Sequence, residues 1–252
     1  MPVVTLVIVI IALALVFDFV NGFHDSANSI ATVVSIRVLT PLQAVAWAAF
    51  FNFVSAFTFG TSVADTVGKG FVDTHIVTLY VILAGVLGAI AWDLLTWWVG
   101  LPTSSSHAII GGYAGAAFAR GIFEHGLAEG FHALILGKWP LTLAFIVVAP
   151  LIGLIAAFVM MVAVYWLFQK ATPAHMDSWF RKLQLLSAAA LSFSHGTNDA
   201  QKTMGIITEV LLTAKIIQEF KVPVWVILAA HAAIAWGPFS EAGGSSRRWE
   251  SA

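Results

Sequence analysis

The sequence predicts an all-α fold: a polytopic membrane protein built from repeats, with broken or re-entrant helices. Three observations carry this. Composition is the first. Of 252 residues, 60% are hydrophobic and only 10% charged, with a mean hydropathy of +0.91. A soluble domain carries about 25% charged residues. The second is a set of apolar runs near the roughly 20 residues that a spanning helix needs. The third is a polar motif that occurs twice, each time bordered by apolar helix.

Residues 2–20 form the first predicted span, with Asp18 near its end. The run "MPVVTLVIVIIALALVF" has no basic leader and no small-residue cleavage site, so it reads as a retained helix rather than a signal peptide. Residues 42–62 are uncharged. Residues 75–99 carry only Asp93, close to the interfacial pair Trp97 and Trp98. Residues 139–168 are again uncharged, with Pro150 as an expected kink. Residues 183–212 are interrupted by a polar patch. Segments 22–40, 101–119 and 194–205 are too polar or too rich in small residues for ordinary spans.

Segment 170–182 is the one hydrophilic linker. Lys170, Arg181 and Lys182 place it in the cytoplasm by the positive-inside rule. The expected organisation is a first transmembrane repeat with connecting helices over 1–169, the linker over 170–182, a partial second repeat over 183–236, and a disordered polar tail over 237–252. With no cysteine, disulfides, thiolate metal sites and cysteine nucleophiles are excluded. A net charge of −1 without any Lys/Arg block gives no reason to expect nucleic acid.

The repeat aligns "FVNGFHDSANSIAT" (19–32) with "FSHGTNDAQKTMGI" (193–206) without gaps. Phe19/Phe193, Gly22/Gly196 and Asp25/Asp199 are identical, and Ser29/Thr203 and Ala31/Gly205 are similar. Two Gly-marked polar segments in corresponding halves point to a transporter with its site at the repeat interface.

A carboxylate inside a bilayer costs a few kcal/mol even on mild insertion scales, so Asp25 needs a cavity or a partner. Asp25 and Asn28, three apart, share a helix face and offer hard oxygen ligands for Na+, a proton or a divalent metal. The bland alternative is a surface loop with Asp25 capping the next helix. In "GLPTSSSHAIIGGYAGAAFA" (100–119), Pro102 favours a chain break and Thr103 or Ser104 can cap the helix that follows. Ser104, Ser105 and Ser106 at a helix N-terminus form an anion site without a fixed cation. The alternative is ordinary capping plus close packing through Gly111 and Gly115. His24 and His107 are read as structural, and Lys202 as paired with an anion or Asp199, or snorkelling to the interface. Donors that want an anion beside aspartates that repel one make sense when a cation or proton sits between them, as in anion–cation symport.

"GFHDSANSIATVVS", "GLPTSSSHAIIGGYAGA" and "SHGTNDAQKTMGII" resemble the PiT family of inorganic phosphate transporters, closest to its bacterial low-affinity Pit branch, over roughly residues 1–236. The resemblance implies inverted repeats with phosphate held between hairpin or broken-helix tips. Carried over by position, it makes Asp25 and Asn28 cation and phosphate ligands, Ser104–Ser106 a phosphate cradle, and Asn198 and Asp199 the partners in the second copy. Asp25 and Asp199 would couple the cation or proton, and Asp25, Asn28 and Asp199 would hold Na+ or a divalent metal accompanying phosphate. His24 and Lys202 stand where the family signature has Asn. They are accessory candidates, and they make a proton or a neutral metal–phosphate complex at least as strong a candidate as Na+.

No second P-x-S-x-x-H segment is present. The run 224–236 is 13 residues, too short for about 30 Å of hydrocarbon, and "GPFSEAGGSSRRWESA" follows it. The expectation is a C-terminally truncated chain whose second repeat is incomplete. The function expected is secondary symport of inorganic phosphate with H+ or Na+ in the plasma membrane. No organic cofactor and no enzymatic activity are expected, and a homodimer is left open. The alternatives are a sulfate or other oxyanion permease, a non-functional fragment, an intramembrane serine hydrolase, and a scaffold. Adjacent Ser106 and His107 diverge by about 100° on a helix, which counts against the hydrolase.

Overall fold

The computed structural model describes residues 2–58, 60–101, 103–137 and 139–244, with side chains for all of these except 26–28, 125, 173 and 241–244. Its regular secondary structure among the described residues is helical apart from one isolated bridge, Val72 to Leu134. The elements are α1 (Val3–Ser35), α2 (Pro41–Val54), α3 (Ser62–Lys69), α4 (Leu79–Val99), α5 (Ser105–His125), α6 (Leu127–His132), α7 (Trp139–Phe168), α8 (Pro173–Thr213) and α9 (Val224–Gly244). By length and composition α1, α4 and α7 can each cross a membrane. The pair Pro41–Phe57 and Ser62–Lys69, bent by 85°, is a broken span or re-entrant loop. The chain is a multi-pass membrane protein.

Local chemistry sets several boundaries. Thr40 and Gln43 form a reciprocal capping box ahead of Pro41, a residue suited to the first helical turn. Gly100 ends α4 at φ +76, in the left-handed region that costs glycine nothing. Thr172 and Pro173 start α8, and an Asp177–Arg181 pair at i,i+4 supports its first turns.

That early start places most of the expected linker in a helix. Residues 173–182 belong to a 41-residue helix running straight into the second motif copy. Likewise α1 runs unbroken through Gly22, and the interruption falls between α2 and α3 instead. The predicted disordered tail begins inside α9, which continues through Pro238 to Gly244; residues 245–252 lie outside the described part. A helix held by its neighbours tolerates the proline, and Gly237 lies directly on the backbone of Gly22 and Phe23.

The two motif glycines show how the halves interlock. A Cβ on Gly22 would run into the carbonyl of Ile234 on α9, and one on Gly196 into the carbonyl of Asn52 on α2. Each copy's glycine is thus pressed against the helix that follows the other copy. Small residues allow this close approach where lipid offers no hydrophobic drive for association. Gly85 and Gly112 do the same between α4 and α5. Ile10, Phe17, Ile82, Ile109, Ile206 and Ile234 fill the space between these helices. By contrast α7 buries no residue at all and is apolar on every side, as a lipid-facing span would be.

Candidate functional site

The site forms where α1, α5 and α8 meet. On α1, Asp18, Asn21 and Asp25 fall at i, i+3 and i+7 and so share one face. On α8, His195, Asp199 and Lys202 do the same at i, i+4 and i+7. The N-terminus of α5 brings in the serines between them, with Ser104 as its N-cap residue.

Ser105 is fully buried at the centre. Its Oγ lies 2.7 Å from Asn21 Oδ1 and 3.3 Å from Asp25 Oδ2, so its single hydrogen serves two acceptors on α1. Lys202 Nζ donates to Ser106 Oγ at 2.7 Å, reaches Ser105 Oγ at 3.4 Å, and pairs with Asp199 Oδ2 at 3.0 Å. The same Asp199 oxygen takes Asn21 Nδ2 at 3.3 Å and lies 3.3 Å from His195 Nδ1. Asp25 Oδ1 sits 2.9 Å from His24 Nδ1. Ligand atoms of Asp25, His195 and Asp199 all fall within 4.8 Å of one another. Two carboxylates and an imidazole suit a divalent cation better than Na+, which prefers oxygen alone.

The sequence-predicted residues distribute unevenly. Asp25, Ser105, Ser106, Asp199, His24 and Lys202 come together. Ser104 is half-buried and lies with Ser106 and His107 on the wall of an open groove of about 570 Å³ that α7 lines through Leu141 and Phe145. Ser106 thus faces both that groove and Lys202. Asn198 is not brought in: it is exposed and donates to the carbonyl of Ser194 on its own helix at 2.9 Å. A side chain one position before Asp199 points about 100° away from it. Asn28 lies on α1, but its side chain is outside the described part of the structure.

Sequence reasoning missed Asn21 and His195. Their signal was present: they occupy the same position in the two copies, four residues before the repeated aspartate, so each lands one helical turn away on the same face. Asp18 and Asp93 are also fully buried here. Asp93, on α4, acts electrostatically on His24, Asp25 and Lys202.

Two copies of one motif, interlocked through their following helices and closing a helix N-terminus between them, are the architecture of a repeat-built secondary transporter with its site at the repeat interface. A model described as the phosphate transporter family matches residues 21–242, and the chain belongs to that family. Its members are transport proteins rather than enzymes, which disposes of the hydrolase alternative. The chain is 49% identical over 233 residues to a probable low-affinity inorganic phosphate transporter of Rhizobium meliloti (strain 1021), covering 92% of this chain and 67% of that one. It is 44% identical over 235 residues to a protein of the same description from Bacillus subtilis (strain 168), covering 92% and 68%. Against a Mycobacterium leprae (strain TN) relative of the same description it spans 55% of that protein's length. A solved structure described as "The sodium-dependent phosphate transporter" matches with a TM-score of 0.81 over 97% of this chain and 77% of that one, at 22% identity, which shows the fold.

Proposed function

We propose that the chain takes part in secondary transport of inorganic phosphate, binding the anion against Ser105, Ser106 and Lys202 and coupling it to a cation held by Asp25 and Asp199. The observation that carries this reading is the position of the Lys202 ammonium. It bridges the hydroxyls at the start of α5 to the aspartate of the second motif copy. A tetrahedral anion at those hydroxyls would gain the ammonium as a charge-assisted donor and the helix N-terminus as a positive pole.

The coupling ion we favour is the proton. A metal ion between Asp25 and Asp199 would sit close to a fixed ammonium, whereas proton transfer onto a carboxylate lowers the local negative charge without adding a second cation. We place the membrane as the plasma membrane and the segment 170–182 on its cytoplasmic side, on the basis of Lys170, Arg181 and Lys182. The test is uptake of labelled phosphate by a cell lacking its own phosphate transporters and expressing this chain. Uptake that rises with an inward proton gradient and not with Na+ supports the reading. Uptake driven by Na+ alone overturns the choice of ion, and labelled sulfate taken up in place of phosphate overturns the substrate.

A further inference from the structure

Asn21 joins the aspartate of the second motif copy to the serine at the anion site through the two ends of one neutral group. It is 0% exposed. Its Nδ2 donates to Asp199 Oδ2 at 3.3 Å, and its Oδ1 accepts from Ser105 Oγ at 2.7 Å. Chemistry fixes which end of the amide points which way: an ionised carboxylate only accepts, so the N–H end belongs to Asp199 and the oxygen to Ser105. This orientation has a consequence for the anion. A serine hydroxyl has one hydrogen. That of Ser105 is engaged by Asn21 Oδ1, with Asp25 Oδ2 at 3.3 Å as the competing acceptor. A phosphate oxygen reaching Ser105 therefore meets a hydroxyl whose hydrogen is already taken. Several charged or titratable groups surround the amide. Asp18, His24 and Asp25 lie on its own helix, His195, Asp199 and Lys202 on α8, Asp93 on α4 and His231 on α9, while α2 contains no ionisable residue.

We propose that Asn21 is the positioning residue that links the coupled cation to phosphate, by reversing its amide. This rests on the reading above, in which Asp25 and Asp199 hold the cation and Ser105 meets the anion. Without the cation, the Asp199 carboxylate holds the N–H end through a charge-assisted bond, which is roughly twice as strong as a neutral one. A cation on Asp199 cancels that charge and is itself a partner for an oxygen, whether it is a proton on the carboxyl or a metal ion. The amide then turns by about 180° on its last side-chain torsion, a soft rotation that exchanges two groups of nearly equal size. Full burial is no obstacle to an exchange in place. Oδ1 now faces the cation, and Nδ2 donates to Ser105 Oγ. With Asp25 neutralised by the same cation, the Ser105 hydrogen is free for a phosphate oxygen. The Ser105 O–H and the Asn21 N–H keep their hydrogens throughout and change only their acceptors. Linkage is reciprocal, so phosphate at Ser105 also strengthens cation binding.

The test compares phosphate affinity with and without the coupling ion on the purified full chain in detergent, with labelled inorganic phosphate as the probe. The ion is supplied as acid pH in one series and as Na+ in the other. Wild type should bind phosphate about 5- to 150-fold more tightly with the ion than without it, the usual range for coupled sites. Asn21→Leu, of similar size but without polar atoms, should still bind phosphate through Lys202 and Ser106, with that ratio brought close to one. Asn21→Gln, which keeps an amide, should recover the ratio. A purely structural role for Asn21 would weaken both affinities together and leave the ratio as it is. A second measurement needs no variant at position 21. The chain has four asparagines, 21, 28, 52 and 198. In protein labelled with ¹⁵N-asparagine, the Asn21 side-chain signal is assigned by replacing the other three in turn. It should move when the ion is added without phosphate. A folded Asn21→Leu with the wild-type ratio, or an Asn21 signal unmoved by saturating ion, would overturn the inference and leave the phosphate reading standing. Absence of phosphate binding by wild type would overturn that reading, and this inference with it.

Discussion

Replacing Lys202 with methionine keeps most of the apolar stem and removes the ammonium, with its charge and its N–H donors. The structure sets out what is lost: a 2.7 Å bond to Ser106, a longer reach to Ser105, and the 3.0 Å pair with Asp199, from a side chain only 3% exposed. Two effects follow and they are separable. Breaking a buried pair by removing one partner costs roughly 3–5 kcal/mol of stability, because the other charge is left behind. For phosphate, the loss is one charge-assisted hydrogen bond, about 1.5–3 kcal/mol. At tenfold per 1.4 kcal/mol, phosphate Kd should rise about 10- to 150-fold. Adding Asp199→Asn removes the stranded charge, so the double variant should regain most of the lost stability while phosphate affinity stays weak; a double-mutant cycle isolates that coupling. Equilibrium binding of labelled phosphate gives the affinity and thermal unfolding by fluorescence-detected size exclusion gives the stability. A folded Lys202→Met chain that binds phosphate with the wild-type Kd would refute the placement of the ammonium at the anion.

Three further outcomes follow from the same geometry. Asn21→Ala leaves both Ser105 Oγ and Asp199 Oδ2 short of a partner and should lower stability by about 1–3 kcal/mol, read as a shift in the thermal midpoint. Gly22→Val and Gly196→Val should each cut the yield of monodisperse protein sharply, since the new Cβ meets backbone on α9 or α2; the same change at Gly115, where a Cβ meets nothing, should be tolerated. Ser106→Ala should weaken phosphate binding about tenfold, the equivalent of 1.4 kcal/mol, while Asn198→Ala, on an exposed side chain bonded to its own helix, should leave it unchanged in a filter-binding assay.

Much of this arrangement was readable from residue types. The duplicated Gly and Asp, and the serine run after a proline, pointed to three segments converging on one site, and Asp25, Asp199, Ser105 and Ser106 do converge. The periodicity of α1 and α8 was harder to read. A polar patch in an apolar run looks like a break when judged by composition alone. Here the patch lies within continuous helices: Asn21 and Lys202 both bond Asp199, and Ser105 of α5 links Asn21 to Asp25. The helical state of 173–182 and 237–244 was hidden for a related reason: polar composition marks exposure, and residues 174–182 are helical and mostly exposed at once. Asn198 shows the limit of transferring a motif position by position. Its neighbour Asp199 faces the site, so Asn198 cannot, and only the helix phase reveals that. Asp18 could be seen in the sequence but not interpreted, since its full burial is a three-dimensional fact.

The central claim is that both motif copies and the start of α5 build one phosphate site around Lys202. Equilibrium binding of labelled phosphate to the purified chain tests it most directly. The account predicts saturable binding of one phosphate per chain, weakened by Lys202→Met and by Ser106→Ala and little displaced by equimolar sulfate. No saturable binding by the folded wild type, or binding unaffected by either substitution, would contradict it.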